Sequence, residues 1–150
     1  MSPLAQQFFA MPQEQKRRVH LYFADIALRQ WKGFVASGLV PLSYQETVAG
    51  TIQEVDQDLP FDALVCVTKC EHPTSISERY SEPICALQDD DWPLPDDAQF
   101  AYYAIFNTFK KYALNEAIDD WLIVNQSLSS LGDSSNEMDS VFSAALESAA

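Results

Sequence analysis

The chain of 150 residues has few glycines, few histidines and, after Lys111, no positively charged side chain at all. Its four glycines are not clustered, which excludes a glycine-rich loop that cradles phosphate groups. Only His20 and His72 could supply the histidine of a catalytic triad, and no Gly-x-Ser-x-Gly elbow accompanies them. The Glu-x-x-His pattern of di-iron helices is also missing. The sequence therefore predicts a protein that is not an enzyme and that needs no cofactor.

Long apolar runs are missing too. No stretch approaches the roughly 20 apolar residues of a membrane-spanning helix. The N-terminal residues lack the basic, apolar and small-residue regions of a secretory signal. Hydrophobic residues at 47% and charged residues at 21% lie in the range of globular proteins. These features predict a folded cytoplasmic protein.

Three cysteines and one histidine form the only candidate metal site in the sequence. Thiolates and an imidazole are ligands that suit tetrahedral zinc. The spacing lacks the second tight cysteine pair and the flanking glycines of zinc knuckles, so we treat a zinc-stabilised regulatory module as an alternative. On a helix, two of the cysteines would share a face and act as small buried apolar residues. The four residues are Cys66, Cys70, His72 and Cys85.

Negative charge dominates the chain, whose formal net charge is −13. Seven acidic residues follow Lys111 without a single basic one. Such a field repels nucleic acids and anionic lipids, and it accelerates encounter with basic proteins. The alternative is that the acidic surface only maintains solubility. We therefore expect a basic protein partner, and neither nucleic acid nor membrane, while the oligomeric state stays open.

Apolar residues recur at helical spacing along most of the chain, which predicts an all-α, single-domain bundle of about five helices. The first helix should run from Pro12 to Gly38. Ser43 and Glu46 form a capping box, which predicts a second helix that reaches Leu59. The apolar run over 61–70 fits either a helix or a strand.

Four prolines interrupt residues 71–96, which predicts one long irregular connection on the surface. Connections of that length are often functional. Asp96 and Gln99 resemble a capping box at the start of a densely apolar central helix over 98–113. Two more helices are expected at 118–131 and 136–147, followed by a frayed C-terminus at 148–150.

An aspartate-rich run around one tryptophan is the most conspicuous candidate for partner binding. A tryptophan between charged residues and prolines combines a hot-spot side chain with carboxylates that can meet lysine or arginine. In the alternative, Trp92 folds inward onto the core while Asp96 and Asp97 only begin the next helix. The two can coexist, because an anchored tryptophan would hold the aspartates rigidly. The predicted binding residues are Asp89, Asp90, Asp91, Trp92, Asp96 and Asp97.

Two segments resemble uncharacterised immunity proteins of bacterial polymorphic toxin systems. They are 100–107 (FAYYAIFN) and 119–126 (DDWLIVNQ). The resemblance transfers no functional residue. It implies inhibition by occlusion, in which an acidic protein covers the basic, phosphate-binding surface of a nuclease toxin. A helical adaptor or structural subunit that dimerises through an apolar helix face is a further alternative.

Overall fold

The structure, a computed structural model, describes residues 1–132 and 135–150, with the backbone alone at positions 135 and 136. These residues form seven helices and one two-stranded antiparallel hairpin. The prediction of a helical fold is confirmed in the main, whereas the expected count of about five helices and the absence of strands are wrong. Among them, no helix combines the length and the apolar character that a membrane span requires. The elements are α1 Pro3–Ala10, α2 Gln13–Ala36, β1 Ser43–Gln45, β2 Ile52–Glu54, α3 Leu59–Lys69, α4 Pro73–Gln88, α5 Asp96–Tyr112, α6 Asp120–Ser129 and α7 Ser135–Ala149.

Helix α5 is the central helix, as predicted, and it packs against α2, α3 and α6. Its small buried residues Ala98, Ala101 and Ala104 allow neighbouring helices to approach closely. Acidic side chains in its first turn and lysines in its last turn match the helix dipole. The predicted capping box is wrong in detail. Pro95 occupies the N-cap position, and the side-chain amide of Gln99 (Nε2) donates to the Leu94 carbonyl at 3.0 Å.

Two groups of buried apolar side chains fill the interior, and α2 contributes to both. One lies between α2, α3, α4, α5 and the hairpin and contains Trp31, Trp92 and Tyr102. The other lies between α1, α2, α6 and α7 and contains Phe8 and Phe142. Each fully buried aromatic contributes about 1.5–3 kcal/mol through the hydrophobic effect. Helix α2, with 24 residues, therefore ties the two ends of the molecule together.

The helix predicted from Ser43 to Leu59 is wrong, because this segment forms the hairpin. Tyr44 is buried between two exposed neighbours, which is the two-residue period of a strand. Val48 and Ile52, which such a helix would turn toward the core, are 99% and 69% exposed. Gly50, with φ +70°, lies in the turn that closes the hairpin.

The long irregular connection predicted over 71–96 is also wrong, because α4 occupies most of it. Pro73 lies in the first turn of α4, where its missing N–H costs nothing. Pro83 lies inside the helix and is half-buried. Ile76, Tyr80 and Leu87 form the buried stripe. The residues between α4 and α5, 89–95, are the irregular part.

The run at 61–70 is helical, since it lies almost entirely within α3. Helix α1 was not predicted. The C-terminus does not fray at 148–149 as expected, because Ala149 is buried and its carbonyl accepts from Arg18 Nη1 at 3.4 Å.

Candidate partner-binding surface

Trp92 faces the interior and is 1% exposed, so it offers no surface to a partner. Its indole Nε1 donates to the Pro41 carbonyl at 3.0 Å. Its ring stacks on the Tyr44 ring, with the ring centroids 6.0 Å apart. It packs edge to face against Trp31 and Tyr102, with centroid distances of 6.0 and 5.2 Å. The prediction that Trp92 contacts a partner is therefore wrong, and the inward alternative describes the structure. The tryptophan anchors the hairpin and the aspartate run to the core.

Asp96 and Asp97 begin α5, where their charges suit the positive end of the helix dipole. A Cβ atom added at Gly132 would lie 3.2 Å from the Asp97 carboxylate, so Asp97 faces the end of α6. Asp90 is exposed and adopts φ +58°, which turns the chain after α4. The six predicted residues thus divide, and only Asp89 and Asp91 line a common cleft.

That cleft lies between the hairpin turn and the C-terminal half of α4 and has a volume of about 220 Å³. Four carboxylates line it together with a narrow apolar fringe. No lysine, arginine or histidine among the described residues contributes to its lining. We call it the acidic cleft, and its residues are Glu46, Val48, Ala49, Glu82, Cys85, Ala86, Asp89 and Asp91.

Hydrogen bonds from the hairpin hold the Glu82 and Asp91 carboxylates of the acidic cleft in place. The Tyr44 hydroxyl donates to Glu82 Oε1 at 2.9 Å, and the Thr47 hydroxyl donates to Asp91 Oδ1. At the end of α4, the Asp89 amide donates to the Cys85 carbonyl at 2.9 Å. Because Tyr44 also stacks on the buried Trp92, the hairpin and the end of α4 are held as one surface.

The negative charge of the cleft disfavours ionisation of Glu46. Hydrogen bonding to Glu82 raises the pKa of the Glu46 carboxyl, and partial desolvation and the charges of Glu82 and Asp91 add to this effect. Burial, followed by the hydrogen bond to Glu82, likewise raises the pKa of the Tyr44 hydroxyl well above its ordinary value. A cation that enters the cleft would relieve this repulsion.

The four residues of the predicted zinc site do not come together. Cys66 is buried in α3, whereas Cys70 and Cys85 are exposed. His72 and Cys85 stand at opposite ends of α4, roughly 20 Å apart at 1.5 Å per residue. In the described ranges, no group of three or more His, Cys, Asp or Glu side chains could hold a metal ion. The zinc alternative is therefore wrong for this set of ligands.

A second polar cluster, around His20, was not predicted as such. The Tyr112 hydroxyl donates to Nδ1 at 2.6 Å, and Nε2 donates to the Asp120 carbonyl at 2.8 Å. This tautomer follows from the partners, because a carbonyl can only accept. Lys111 and Lys16 lie 3.0 and 3.7 Å from the Asp120 carboxylate. Burial lowers the pKa of His20. We call these five residues the His20 cluster.

Glu46 and Glu82 are the cleft residues that the sequence did not reveal. Glu46 is far from the aspartate run in sequence and reaches it through the packing of the hairpin against α4, whereas Glu82 lies on α4 itself, seven residues before Asp89. One signal in the sequence points toward this packing. Apolar and polar residues alternate around Tyr44, which is typical of a strand.

The chain was also compared with known proteins. Protein-family models, curated protein sequences and solved structures give no match to it. The candidate site is therefore defined by its own geometry, and no family is assigned to the chain.

Proposed function

We propose that this chain is a non-enzymatic binding protein that captures a basic segment of a protein partner in the acidic cleft. Its most specific form is an immunity protein that neutralises a basic, nuclease-like bacterial toxin by occlusion. The observation that carries the proposal is a cleft lined by four carboxylates, of which Glu82 and Asp91 are hydrogen-bonded to the hairpin, with no basic side chain among the residues that line it.

Other acidic residues near α4 are compensated by the chain itself. At the N-terminal half of α4, Arg79 pairs with Asp56 and lies 2.8 Å from the Asp62 carboxylate. The contrast within one helix indicates that the charge at the other end is available for an external cation. A lysine or arginine there would form charge-assisted hydrogen bonds, which are about twice as strong as neutral ones.

The size of the cleft favours a side chain over a free small molecule. Pockets for drug-sized ligands usually measure roughly 300–1,000 Å³. At about 220 Å³, the acidic cleft is smaller and suits one protruding lysine or arginine. The net charge of −13 would steer a basic surface toward it. The occlusion of a phosphate-binding surface, which the immunity-protein resemblance implies, uses the same electrostatics.

A stopped-flow measurement against the C-terminal domain encoded by the gene immediately upstream tests this proposal. The cleft variant combines Glu82→Gln, Asp89→Asn and Asp91→Asn, which keep acceptor oxygens for Tyr44 and Thr47. At low ionic strength we expect its association rate to fall by about tenfold or more, and the deficit to shrink as salt screens the charges.

A control with equal net charge separates the cleft from the general field of the protein. It combines Asp25→Asn, Glu116→Gln and Glu147→Gln, all at exposed positions away from the cleft. We expect this control to slow association much less. Equal slowing by both variants would leave only general steering, and unchanged affinity in the cleft variant would remove the cleft from the interface.

A dimerising adaptor is the second candidate, and exposed apolar residues on α1 and α6 favour it. Phe9 lies 5.6 Å from the Trp121 ring and is partly exposed, as is Leu122. Analytical ultracentrifugation separates this function from the first. A dimer that Phe9→Ser and Leu122→Ser disrupt would support it, and a monomer at all concentrations would exclude it.

A further inference from the structure

The hydrogen bonds of the hairpin leave alternate backbone groups pointing outward. The Glu46 amide donates to the Thr51 carbonyl and the Val55 amide to the Leu42 carbonyl, both at 2.9 Å. These two bonds fix the register of the hairpin. Every second residue of each strand therefore directs its N–H and C=O groups away from the partner strand. The outward residues are Ser43 and Gln45 on β1, and Ile52 and Glu54 on β2.

These outward groups are free within the described part of the chain. No hydrogen bond there uses the backbone of Ile52 or Glu54, and both residues are exposed. Contacts with the 89–95 segment border β1 at both ends. Trp92 Nε1 donates to the Pro41 carbonyl before the strand, and the Thr47 hydroxyl after the strand donates to the Asp91 carboxylate. The edge of β2 is therefore the more open one, and an open edge is a template for an additional strand.

Apolar side chains extend this edge toward the acidic cleft. Ile52 is 69% exposed on β2, and Val48 is 99% exposed in the turn. Single exposed apolar residues are common, but Val48 also lines the acidic cleft. The hairpin turn that precedes β2 therefore borders the carboxylates of the acidic cleft.

We propose that the edge of β2 takes up an extended, basic segment of the partner protein as a third strand. Its backbone would pair with Ile52 and Glu54, and a lysine or arginine beyond the turn would enter the acidic cleft. Backbone pairing supplies affinity in such strand additions, while side chains supply specificity. A second copy of this chain fits less well, because it would bring the same negative charge to the edge. The inference rests on the proposed function and adds the conformation in which the partner binds.

Synthetic peptides probe this inference without a known partner. Three fluorescein-labelled peptides are compared by anisotropy at low ionic strength: one with alternating lysine and valine, the same peptide with all internal amides N-methylated, and one with alternating glutamate and valine. N-methylation keeps charge and side chains but removes the backbone donors. We expect the first peptide to bind, the second to bind at least about tenfold more weakly, and the third not to bind.

Two proline variants locate the edge on the protein. Ile52→Pro removes an outward N–H of β2 and spares the bonds inside the hairpin, which is the position where strands tolerate proline. Ser43→Pro removes the corresponding donor of β1 and is the matched control. We expect Ile52→Pro alone to weaken the lysine–valine peptide by about tenfold or more, and Ile52→Ala to isolate the side-chain contribution. Intrinsic tryptophan fluorescence, to which Trp92 and the adjacent Trp31 contribute, and thermal midpoints verify that the hairpin stays packed in each variant.

The outcomes separate the two proposals. If the N-methylated peptide binds as tightly as its parent and Ile52→Pro has no effect, strand addition is wrong, whereas a weakened cleft variant would still support charge capture. If no peptide binds, or if the acidic peptide binds as well as the basic one, the inference is overturned. Self-association that Ile52→Pro abolishes would assign the edge to a second copy and overturn it as well. If a variant unfolds, the N-methylated peptide on the unmodified protein still decides.

Discussion

The His20 cluster and the acidic cleft are both polar, both hydrogen-bonded and both shared between elements, yet they treat charge in opposite ways. In the His20 cluster, two lysines face one aspartate and the histidine is held neutral. In the acidic cleft, four carboxylates face one another without a basic residue in the lining. Buried polar groups are normally paired, because an unpaired one costs about 1–3 kcal/mol. The first arrangement therefore serves stability, while the second leaves its carboxylates without an ionic partner in the lining of the cleft.

The largest expected effect concerns the anchor of the cleft. Trp92→Ala should lower the free energy of unfolding by about 3–5 kcal/mol, because it leaves a cavity beside Tyr44 and removes the bond to Pro41. Urea denaturation followed by circular dichroism measures this loss. Trp92→Phe is the matched variant, and it should cost less because the ring still fills the site. A loss below about 1 kcal/mol in Trp92→Ala would show that the hairpin is not held by this contact.

This anchor also shows how much of the fold the sequence reveals. Helices α2 and α5 could be predicted, because their apolar residues repeat at helical spacing within the helix itself. The hairpin could not, since Ser43 and Glu46 fit a capping box equally well and the deciding contact, Tyr44 on Trp92, is remote in sequence. Helix α4 was hidden by prolines whose effect depends on position, and Pro73 lies where proline is tolerated.

The candidate site was predictable to a similar extent. Asp89 and Asp91 belong to a visible run of charge, so composition alone identifies them. Glu46 reaches the same cleft only through tertiary packing, which no local pattern encodes, whereas Glu82 precedes Asp89 by two helical turns and needed only the recognition of α4 as a helix. The burial of His20 is likewise set by Tyr112 and Asp120, on helices far along the chain.

An intermediate effect should appear in the pH dependence of stability, and it belongs to the His20 cluster. Burial holds the pKa of folded His20 below its ordinary value of 6.5, so the unfolded chain binds this proton more readily. The stabilisation is fully present above pH 6.5 and is lost as the pH falls below that value. Urea midpoints measured between neutral pH and pH 5 should therefore decrease, and His20→Leu should flatten this decrease while lowering stability at neutral pH by about 2–4 kcal/mol.

The exposed histidine provides the control for that experiment. His72 lies on the surface before α4, so His72→Asn should leave the same decrease in place. An unchanged slope in His20→Leu would mean that the acid sensitivity arises elsewhere, and the contrast between the two polar regions would lose its titrating group.

The smallest effect should come from removing a single negative charge, and its sign should differ between the two regions. The hydrogen bond and charge of Glu82 raise the pKa of Glu46 above its ordinary value of 4.5, so the ionised pair opposes folding at neutral pH and is relieved as acid protonates it. Glu82→Gln should therefore raise the thermal midpoint slightly at pH 7, and the gain should disappear toward pH 4.5. Asp120→Asn removes the same charge from the His20 cluster but leaves Lys111 without its partner, and it should cost about 1 kcal/mol. If both variants shift stability in the same direction at pH 7, the acidic cleft holds no uncompensated charge and its assignment as a binding surface fails.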